Sequence, residues 1–524
     1  MSWWNQRLQM GWAALVIGLS VLLSRFMGLI RDKAIAYLFG ATQESDIYFA
    51  AFVIPDFINY LLAGAYFSIT LIPLLSETFG RDHEDGWRLF SAVLTWVAVG
   101  STVLTAMAMI LAPQLAMVAA PGLDLSARTQ LIHFLRIILP AQAAFLPGAC
   151  LLALLYLRKQ FHVPALVPII YNGSIILVGM LFRRHGMEGF CWGVVLGAFA
   201  GNLLLPYLVL RRSGDWQLRP CWWHPGVKRF LWLALPLMVG QSIVVLDEQM
   251  VRVFGSLAGT GAISWLNYAR RIMLVPVGIV AQAAGVASYP FLAELAARKD
   301  FRGFHRTINE TLRNTLTMLI PLSLWMMVVA QPTIVLIFQQ GHFGTGDTER
   351  TTWLLIILLG VVSCWGWQQI VGRAFYARQD TITPAVLGTL TTLAALPLYY
   401  FASRWWGATG VALASALSIS LYTVALSWRW RRRFGSEIFT GLAKSVLQVL
   451  LLALTAGLPA MSLATGCRQW WPEHPYGAAL AAIAVSGLVF GVAYVLLANW
   501  YVPQLIHPFL EKAGPLGRRL MRDQ

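Results

Sequence analysis

Long apolar stretches recur along the whole chain, and they constrain the fold more than any other feature of the sequence. A helix needs about 20 predominantly apolar residues to cross the roughly 30 Å hydrocarbon core of a bilayer. Fourteen such stretches occur, near residues 10–39, 46–79, 89–112, 131–156, 163–182, 189–210, 229–257, 262–296, 314–338, 352–376, 383–402, 407–428, 442–463 and 477–500. The sequence therefore predicts an all-α polytopic membrane protein with about 14 transmembrane helices.

Composition and charge support this interpretation. Charged residues make up only 12% of the chain and apolar residues 58%, whereas a soluble domain carries roughly 25% charged residues. Lys and Arg are concentrated in alternate loops, such as residues 211–229, 298–313 and 429–444. The positive-inside rule then predicts that both termini are cytoplasmic. The five cysteines are widely scattered, so neither a disulfide framework nor a metal site is predicted.

Two halves of the chain resemble each other. Segment 73–77 recurs as 290–294, and segment 156–159 recurs as 376–379, about 220 positions later. Gly186 and Gly189 recur at the same distance as Gly407 and Gly410. Spans 1 to 6 and 7 to 12 are thus predicted to form two parallel six-helix lobes, an arrangement typical of alternating-access transporters. The predicted division is an N-lobe at 1–212, a C-lobe at 213–435, two extra helices at 436–503 and a cytoplasmic tail at 504–524.

Ionisable residues inside the predicted spans are candidates for function, because a charge in the membrane is costly unless it faces a cavity or a partner. Arg25 lies about 22 Å into the first span, assuming 1.5 Å per residue. Arg31 and Arg271 are the other candidate cavity cations. Further candidates for the cavity or its gating are Ser24, Gly28, Asp32, Asp46, Asp56, Asn59, Ser264 and Asn267, with Asp247 and Glu248 as possible ion-coupling residues. Structural ion pairing is the open alternative, particularly around Arg252 and Arg270.

Arginines that line a membrane cavity favour an anionic substrate, since a guanidinium binds phosphate oxygens bidentately. Cations from both lobes would suit a diphosphate. A hydrocarbon tail attached to that diphosphate would need a groove open to the bilayer, and the extra helices at 436–503 are predicted to form it.

The charged residues belong to longer motifs that resemble the MurJ (MviN) family of lipid II flippases. The motifs are Ser24-Arg25, Gly28, Arg31-Asp32, Phe39-Gly40-Ala41, Ser45-Asp46, Pro55, Ser264-Trp265, Tyr268-Ala269, Arg271 and Phe375 to Thr381 with Thr383-Pro384. The resemblance implies the multidrug/oligosaccharidyl-lipid/polysaccharide exporter fold. It also implies that Arg25, Arg31 and Arg271 are the essential cavity arginines, and that Asp46 and Asp32 are the matching acidic residues.

The resulting prediction is a flippase that moves undecaprenyl-diphosphate-linked peptidoglycan precursor from the cytoplasmic to the outer leaflet of a bacterial inner membrane. No enzymatic step and no cofactor are expected, although the membrane potential or a monovalent cation could drive transport. The expected partners are the lipid-linked substrate and membrane lipids, with a monomeric transport unit and no nucleic acid. Asn59, Gly64 and Arg270 depart from the usual family residues, which leaves another polyprenyl-diphosphate glycan as the alternative substrate. A small-molecule exporter and a membrane glycan polymerase are weaker alternatives.

Overall fold

Helices account for all the regular secondary structure in the computed structural model, which describes residues 23–63, 70–213, 216–240 and 243–511. Eight helices within these ranges are long and apolar enough to cross a membrane, or ten if each of two bent pairs is one span. The all-helical membrane fold is therefore confirmed. The count of 14 spans stays a prediction.

The chain divides into two units, of which the first is Met1–Ser264. Its helices are α1 (residues 23–39), α2 (Gln43–Ala50), α3 (Val53–Ala63), α4 (Ile72–Arg81), α5 (His83–Ile110), α6 (Ala112–Ala119), α7 (Leu125–Ile138), α8 (Gln142–Leu157), α9 (His162–Leu181), α10 (Glu188–Gly197), α11 (Leu205–Arg212), α12 (Pro225–Gly240) and α13 (Ile243–Gly255). A π-helical segment, Ala198–Leu204, joins α10 to α11. Helix α14 (Ala262–Pro276) begins at the end of this unit.

The second unit is Trp265–Gln524. After α14 and a π-helical segment, Val277–Gln282, come α15 (Ala283–Ala297), α16 (Phe301–Val328), α17 (Ala330–Ile337), α18 (Thr345–Leu359), α19 (Val362–Ala377), α20 (Ile382–Phe434), α21 (Leu442–Trp470), α22 (Pro475–Tyr501) and α23 (Pro503–Leu510). The pairs α16–α17 and α18–α19 are bent by 68° and 41°. Within this unit, α16 packs against α19 and α21, and α21 packs against α22.

Packing in the first unit fixes the short helices that carry the candidate site. Helix α2 packs against α7, and α3 packs against α8 and α13. Trp87 and Phe90 of α5 and Leu154 of α8 are fully buried in one apolar cluster. These contacts hold α2 and α3 in place although the predicted second span is broken at Ala51. Gly64, which also falls in that span, lies outside the described residues.

The two halves share unusual backbone conformations at positions that the sequence comparison pairs. Gly186 and Gly407 have φ values of +66° and +57°, and a Cβ on either following glycine, Gly189 or Gly410, would contact the preceding turn. Gly407 also interrupts the 53-residue α20 and so separates predicted spans 11 and 12. The compact units meet at Ser264 rather than at residue 212, and the predicted lobe boundaries stay a prediction.

Candidate functional site

Asp46 is an acidic residue of the candidate site whose carboxylate accepts several hydrogen bonds. Its side chain is buried, with 3% exposure. Oδ2 accepts the Gly261 backbone N–H at 2.6 Å, and Oδ1 accepts the Ser264 backbone N–H at 2.8 Å and the Ser264 hydroxyl at 2.6 Å. The first N–H groups of a helix lack partners within the helix and carry partial positive charge. Asp46 therefore caps the start of α14 from a position more than 200 residues earlier in the chain.

Helix α2 caps a second helix through a residue that the sequence did not single out. Glu44 Oε1 accepts the Met187 backbone N–H at 2.5 Å, just before α10 begins. Gly186 has φ +66°, and a side chain there would overlap the Glu44 carboxylate. Ser45, between the two acids, makes a 2.8 Å hydroxyl–hydroxyl hydrogen bond with Ser264. Three consecutive polar residues of α2 thus contact the starts of α10 and α14. The sequence feature that could have indicated these contacts is the pair of acidic residues before an apolar stretch.

Arg31 and Asp32 form an ion pair between neighbouring residues of α1. The guanidinium donates to Asp32 Oδ1 from Nη2 at 2.9 Å and from Nε at 3.1 Å. Its Nη1 also donates to Asn172 Oδ1 of α9 at 3.3 Å. The Asp32 side chain is fully buried and the Arg31 side chain is 14% exposed. Arg31 is thus held in one orientation with part of its surface accessible.

A second charge network joins α3 to α13. Arg252 Nη1 donates to Asp56 Oδ2 at 2.6 Å, and Nη2 donates to Glu248 Oε1 at 2.7 Å. The Arg252 side chain is 10% exposed, and each carboxylate is 29% exposed. Asp247, on the same helix as Glu248, is buried. Of the residues predicted for the cavity or for ion coupling, Asp56 and Glu248 thus share one guanidinium.

The remaining predicted residues of α1 and α3 differ in exposure. Arg25 is exposed, and Ser24 and Asn59 are half-buried. Gly28 is buried, but a Cβ placed on it would have no atom of the described residues within 4 Å. Arg25, in the first predicted span, therefore has an accessible surface.

Helix α14 carries the predicted residues of the second unit. Asn267 and Arg271 lie one turn apart and are both half-buried. Arg270 is buried, and its guanidinium lies 5.4 Å from the centre of the Trp365 ring. Arg25 belongs to the first unit and Arg271 to the second, so the cavity that they are expected to share stays a prediction.

The segment from Phe375 to Pro384 forms the turn between α19 and α20. Asp380 accepts the Thr383 backbone N–H at 3.0 Å and so caps α20, and it also pairs with Arg433 at 2.5 Å. The Arg378 guanidinium lies 4.0 Å from the centre of the Phe434 ring. Burial and, second, the neighbouring Arg433 lower the pKa of Arg378 from its ordinary value. This motif therefore has a structural role at the end of α19.

No group of three or more His, Cys, Asp or Glu side chains suited to a metal ion occurs within residues 23–63, 70–213, 216–240 and 243–511. The chemistry that the site offers is that of guanidinium groups, carboxylates and helix ends.

Comparison with known protein families identifies the family to which the chain belongs. The family described as lipid II flippase MurJ matches residues 35–474. The chain belongs to this family. The match includes Asp46, the Arg252 network and Arg271, and it begins after Arg25 and Arg31.

Individual relatives and solved structures agree with this. A probable lipid II flippase MurJ of Vibrio cholerae is 26% identical over 92% of this chain and 94% of its own length. The lipid II flippase MurJ of Burkholderia cenocepacia is 27% identical over 92% of this chain and 97% of its own length.

Solved structures show the same fold. A structure of lipid II flippase MurJ in an inward closed conformation matches 94% of this chain and 100% of its own, with 22% identity and a TM-score of 0.76. An inward-facing multidrug resistance MATE transporter of the MOP superfamily matches 82% of this chain and 99% of its own, with 15% identity and a TM-score of 0.67. The exporter fold predicted from the sequence is thereby confirmed.

Proposed function

We propose that this chain moves lipid II from the cytoplasmic to the outer leaflet of a bacterial inner membrane by alternating access. The observation that carries the proposal is the family match over residues 35–474. The helical membrane fold and the charges on its spans support the same conclusion. Transport of this kind needs no covalent chemistry, so the protein acts as a transporter, and its product serves peptidoglycan synthesis and hence the cell wall and cell shape.

Three arginines bind the diphosphate of the substrate in this proposal. Arg25 is exposed and Arg271 is half-buried, so both guanidinium groups retain accessible surface. Arg31 is oriented by Asp32 and Asn172, which reduces the conformational entropy lost when it binds an anion. Bidentate arginine contacts give phosphate oxygens both affinity and orientation.

The Asp46 cap acts as a gate. It joins the predicted second span to the start of the eighth span, at the ends that the positive-inside rule assigns to the outer face. Outward opening of a two-lobe transporter would separate these ends and release Gly261 and Ser264 from the carboxylate. The contact of Arg252 with Asp56 and Glu248 is a second link between predicted spans 2 and 7. Asp247 and Glu248 are the residues proposed for coupling to a cation or to the membrane potential.

The transport unit is a monomer that needs no cofactor, and both termini are cytoplasmic. Helices α21 and α22 carry many exposed apolar residues, among them Leu451, Leu458 and Leu488, which suits contact with a prenyl tail and with membrane lipids.

Complementation tests the function directly. A strain depleted of its lipid II flippase should grow when it expresses this chain and should fail with Arg25→Ala or Arg271→Ala at equal membrane abundance. Arg404→Ala is the matched control, because it removes one exposed cation from a predicted outer loop. Failure of the inserted wild type would refute lipid II as the substrate and favour another polyprenyl-diphosphate glycan. Growth with both alanine variants would refute the roles of the arginines.

A further inference from the structure

Arg373 lies on a predicted membrane span and is not among the charged residues of the candidate site. It lies on α19, four residues before the helix ends at Ala377. The arginines of the two networks in the first unit each contact a carboxylate, as Arg31 does with Asp32 and Arg252 with Asp56. Arg373 forms no ion pair with any residue in the described ranges. A guanidinium near the end of a span that has no carboxylate partner in the described ranges is available to an anion at the membrane surface.

The contacts of Arg373 leave most of its hydrogen-bonding capacity unused. Its Nη1 donates to the Gln282 carbonyl at 3.4 Å, whereas a guanidinium has five N–H donors. The titratable side chains that interact with it are Tyr376 and Tyr289, which are uncharged at neutral pH. Within the part of the chain that the structure describes, the surroundings of Arg373 are therefore polar and contribute no negative charge.

The backbone around Arg373 is specialised. Gln282 is the last residue of the π-helical segment Val277–Gln282, and π-helical turns occur frequently at functional sites. A Cβ on Gly285, in the following turn, would overlap the Arg373 guanidinium. Because glycine is the residue that leaves this space, Gly285 permits the guanidinium to lie against α15.

The depth of Arg373 indicates the kind of ligand. Four residues of helix correspond to about 6 Å, so the guanidinium reaches the headgroup level on the side that carries Arg378, the predicted cytoplasmic side. The anions available at that level are the phosphate groups of lipids. Arginine binds phosphate oxygens through paired hydrogen bonds.

We propose that Arg373, positioned by the Gln282 carbonyl and the space at Gly285, binds the phosphate group of a lipid in the cytoplasmic leaflet. Two lipids supply this chemistry: a polyprenyl diphosphate that approaches the transporter, and an anionic phospholipid. The first source rests on the proposed function, and the second does not.

Lipid binding to the purified full-length protein tests the proposal. The probes are undecaprenyl diphosphate, phosphatidylglycerol and, as the neutral reference without a phosphate group, diacylglycerol, each titrated in detergent and followed by native mass spectrometry. The variants are Arg373→Gln, Arg373→Lys and Gly285→Ala, with Arg404→Gln as the control that removes the same charge elsewhere. Thermal unfolding of each variant is measured in parallel.

Arg373→Gln should weaken binding of at least one phosphate lipid about tenfold, the loss expected when a charged hydrogen-bonding partner is removed. Arg373→Lys should retain part of the affinity. Gly285→Ala should also weaken binding, because its methyl group displaces the guanidinium, while alanine leaves the helix at least as stable as glycine does. Binding by Arg404→Gln should equal that of the wild type, and binding of diacylglycerol should be the same for every variant.

The outcomes separate the sources and the proposals. If Arg373→Gln weakens the binding of undecaprenyl diphosphate alone, the bound lipid is the substrate. If it weakens the binding of phosphatidylglycerol alone, the site binds a phospholipid. If it weakens the binding of both, the site binds the phosphate group of either lipid. Unchanged binding of both lipids by Arg373→Gln and Gly285→Ala would overturn the proposal and leave Arg373 as a cation solvated at the membrane surface. Complementation by the wild type reports the proposed function independently of this result.

Discussion

At the scale of single residues, the structure assigns most of the predicted charges to defined partners. Asp46 accepts three hydrogen bonds from Gly261 and Ser264. The sequence predicts Asp46 as a candidate because it stands at the start of an apolar span and in a family motif. Its partners lie more than 200 residues away and could not be predicted, since periodicity reports only on neighbours within one helix.

Asp46→Ala should lower stability, because it leaves the buried N–H groups of Gly261 and Ser264 without an acceptor. The expected cost is about 1–3 kcal/mol, and Asp46→Asn should cost less because it keeps one acceptor oxygen. Thermal unfolding in detergent measures the change. Asp82→Ala is the control, since Asp82 caps α5 at an exposed site through Glu84 N–H and should cost about 1 kcal/mol. Equal losses at the two positions would contradict a special role for the Asp46 cap.

At the scale of helices, the ends of α8, α15 and α19 share one form. Lys159, Lys299 and Gln379 have φ values of +58°, +57° and +58°. At the first, the Gln160 N–H reaches back to the Leu155 carbonyl at 2.9 Å, a hydrogen bond that closes the helix end. The apolar pattern predicts where these helices lie. It does not predict how they end, because the residue with left-handed backbone conformation at a helix end is usually glycine rather than lysine or glutamine. The surrounding fold, rather than local preference, determines these turns.

Gln379→Gly should therefore stabilise the protein by up to about 1 kcal/mol, because glycine adopts positive φ without the steric cost that other residues have there. Lys159→Gly should act in the same direction. Gln448→Gly, in the interior of α21, is the matched control and should destabilise by about 1 kcal/mol. The midpoint of thermal unfolding reports all three, and a lower midpoint for both Gln379→Gly and Lys159→Gly would contradict the argument.

At the scale of the whole molecule, the sequence predicts the class of fold, which is confirmed, whereas the two-lobe division and the count of 14 spans stay predictions. Apolar stretches identify helices because every backbone polar group in a bilayer must be satisfied internally. They do not report the non-helical backbone of Gly407, which separates two helical segments within α20, or the interruption of the second predicted span between α2 and α3. Those features depend on glycine conformations and on contacts between distant segments.

The predicted orientation is tested by labelling single cysteines in a variant that lacks the five native ones. Ser436→Cys lies in an exposed loop on the predicted cytoplasmic side, and Thr345→Cys lies at the exposed start of α18 on the predicted outer side. A membrane-impermeant thiol reagent applied to intact spheroplasts should label Thr345→Cys and spare Ser436→Cys until the membrane is opened. The reverse pattern would show that the positive-inside rule fails for this chain.

The arrangement of α2 limits what can change along that segment. Glu44 and Asp46 are two residues apart and therefore point about 200° away from each other around the helix, and each serves the start of a different helix. One inserted or deleted residue between them would rotate one acid by about 100° and detach it from its helix. Evolution can lengthen the loops around α2, but the register of these two acids is fixed.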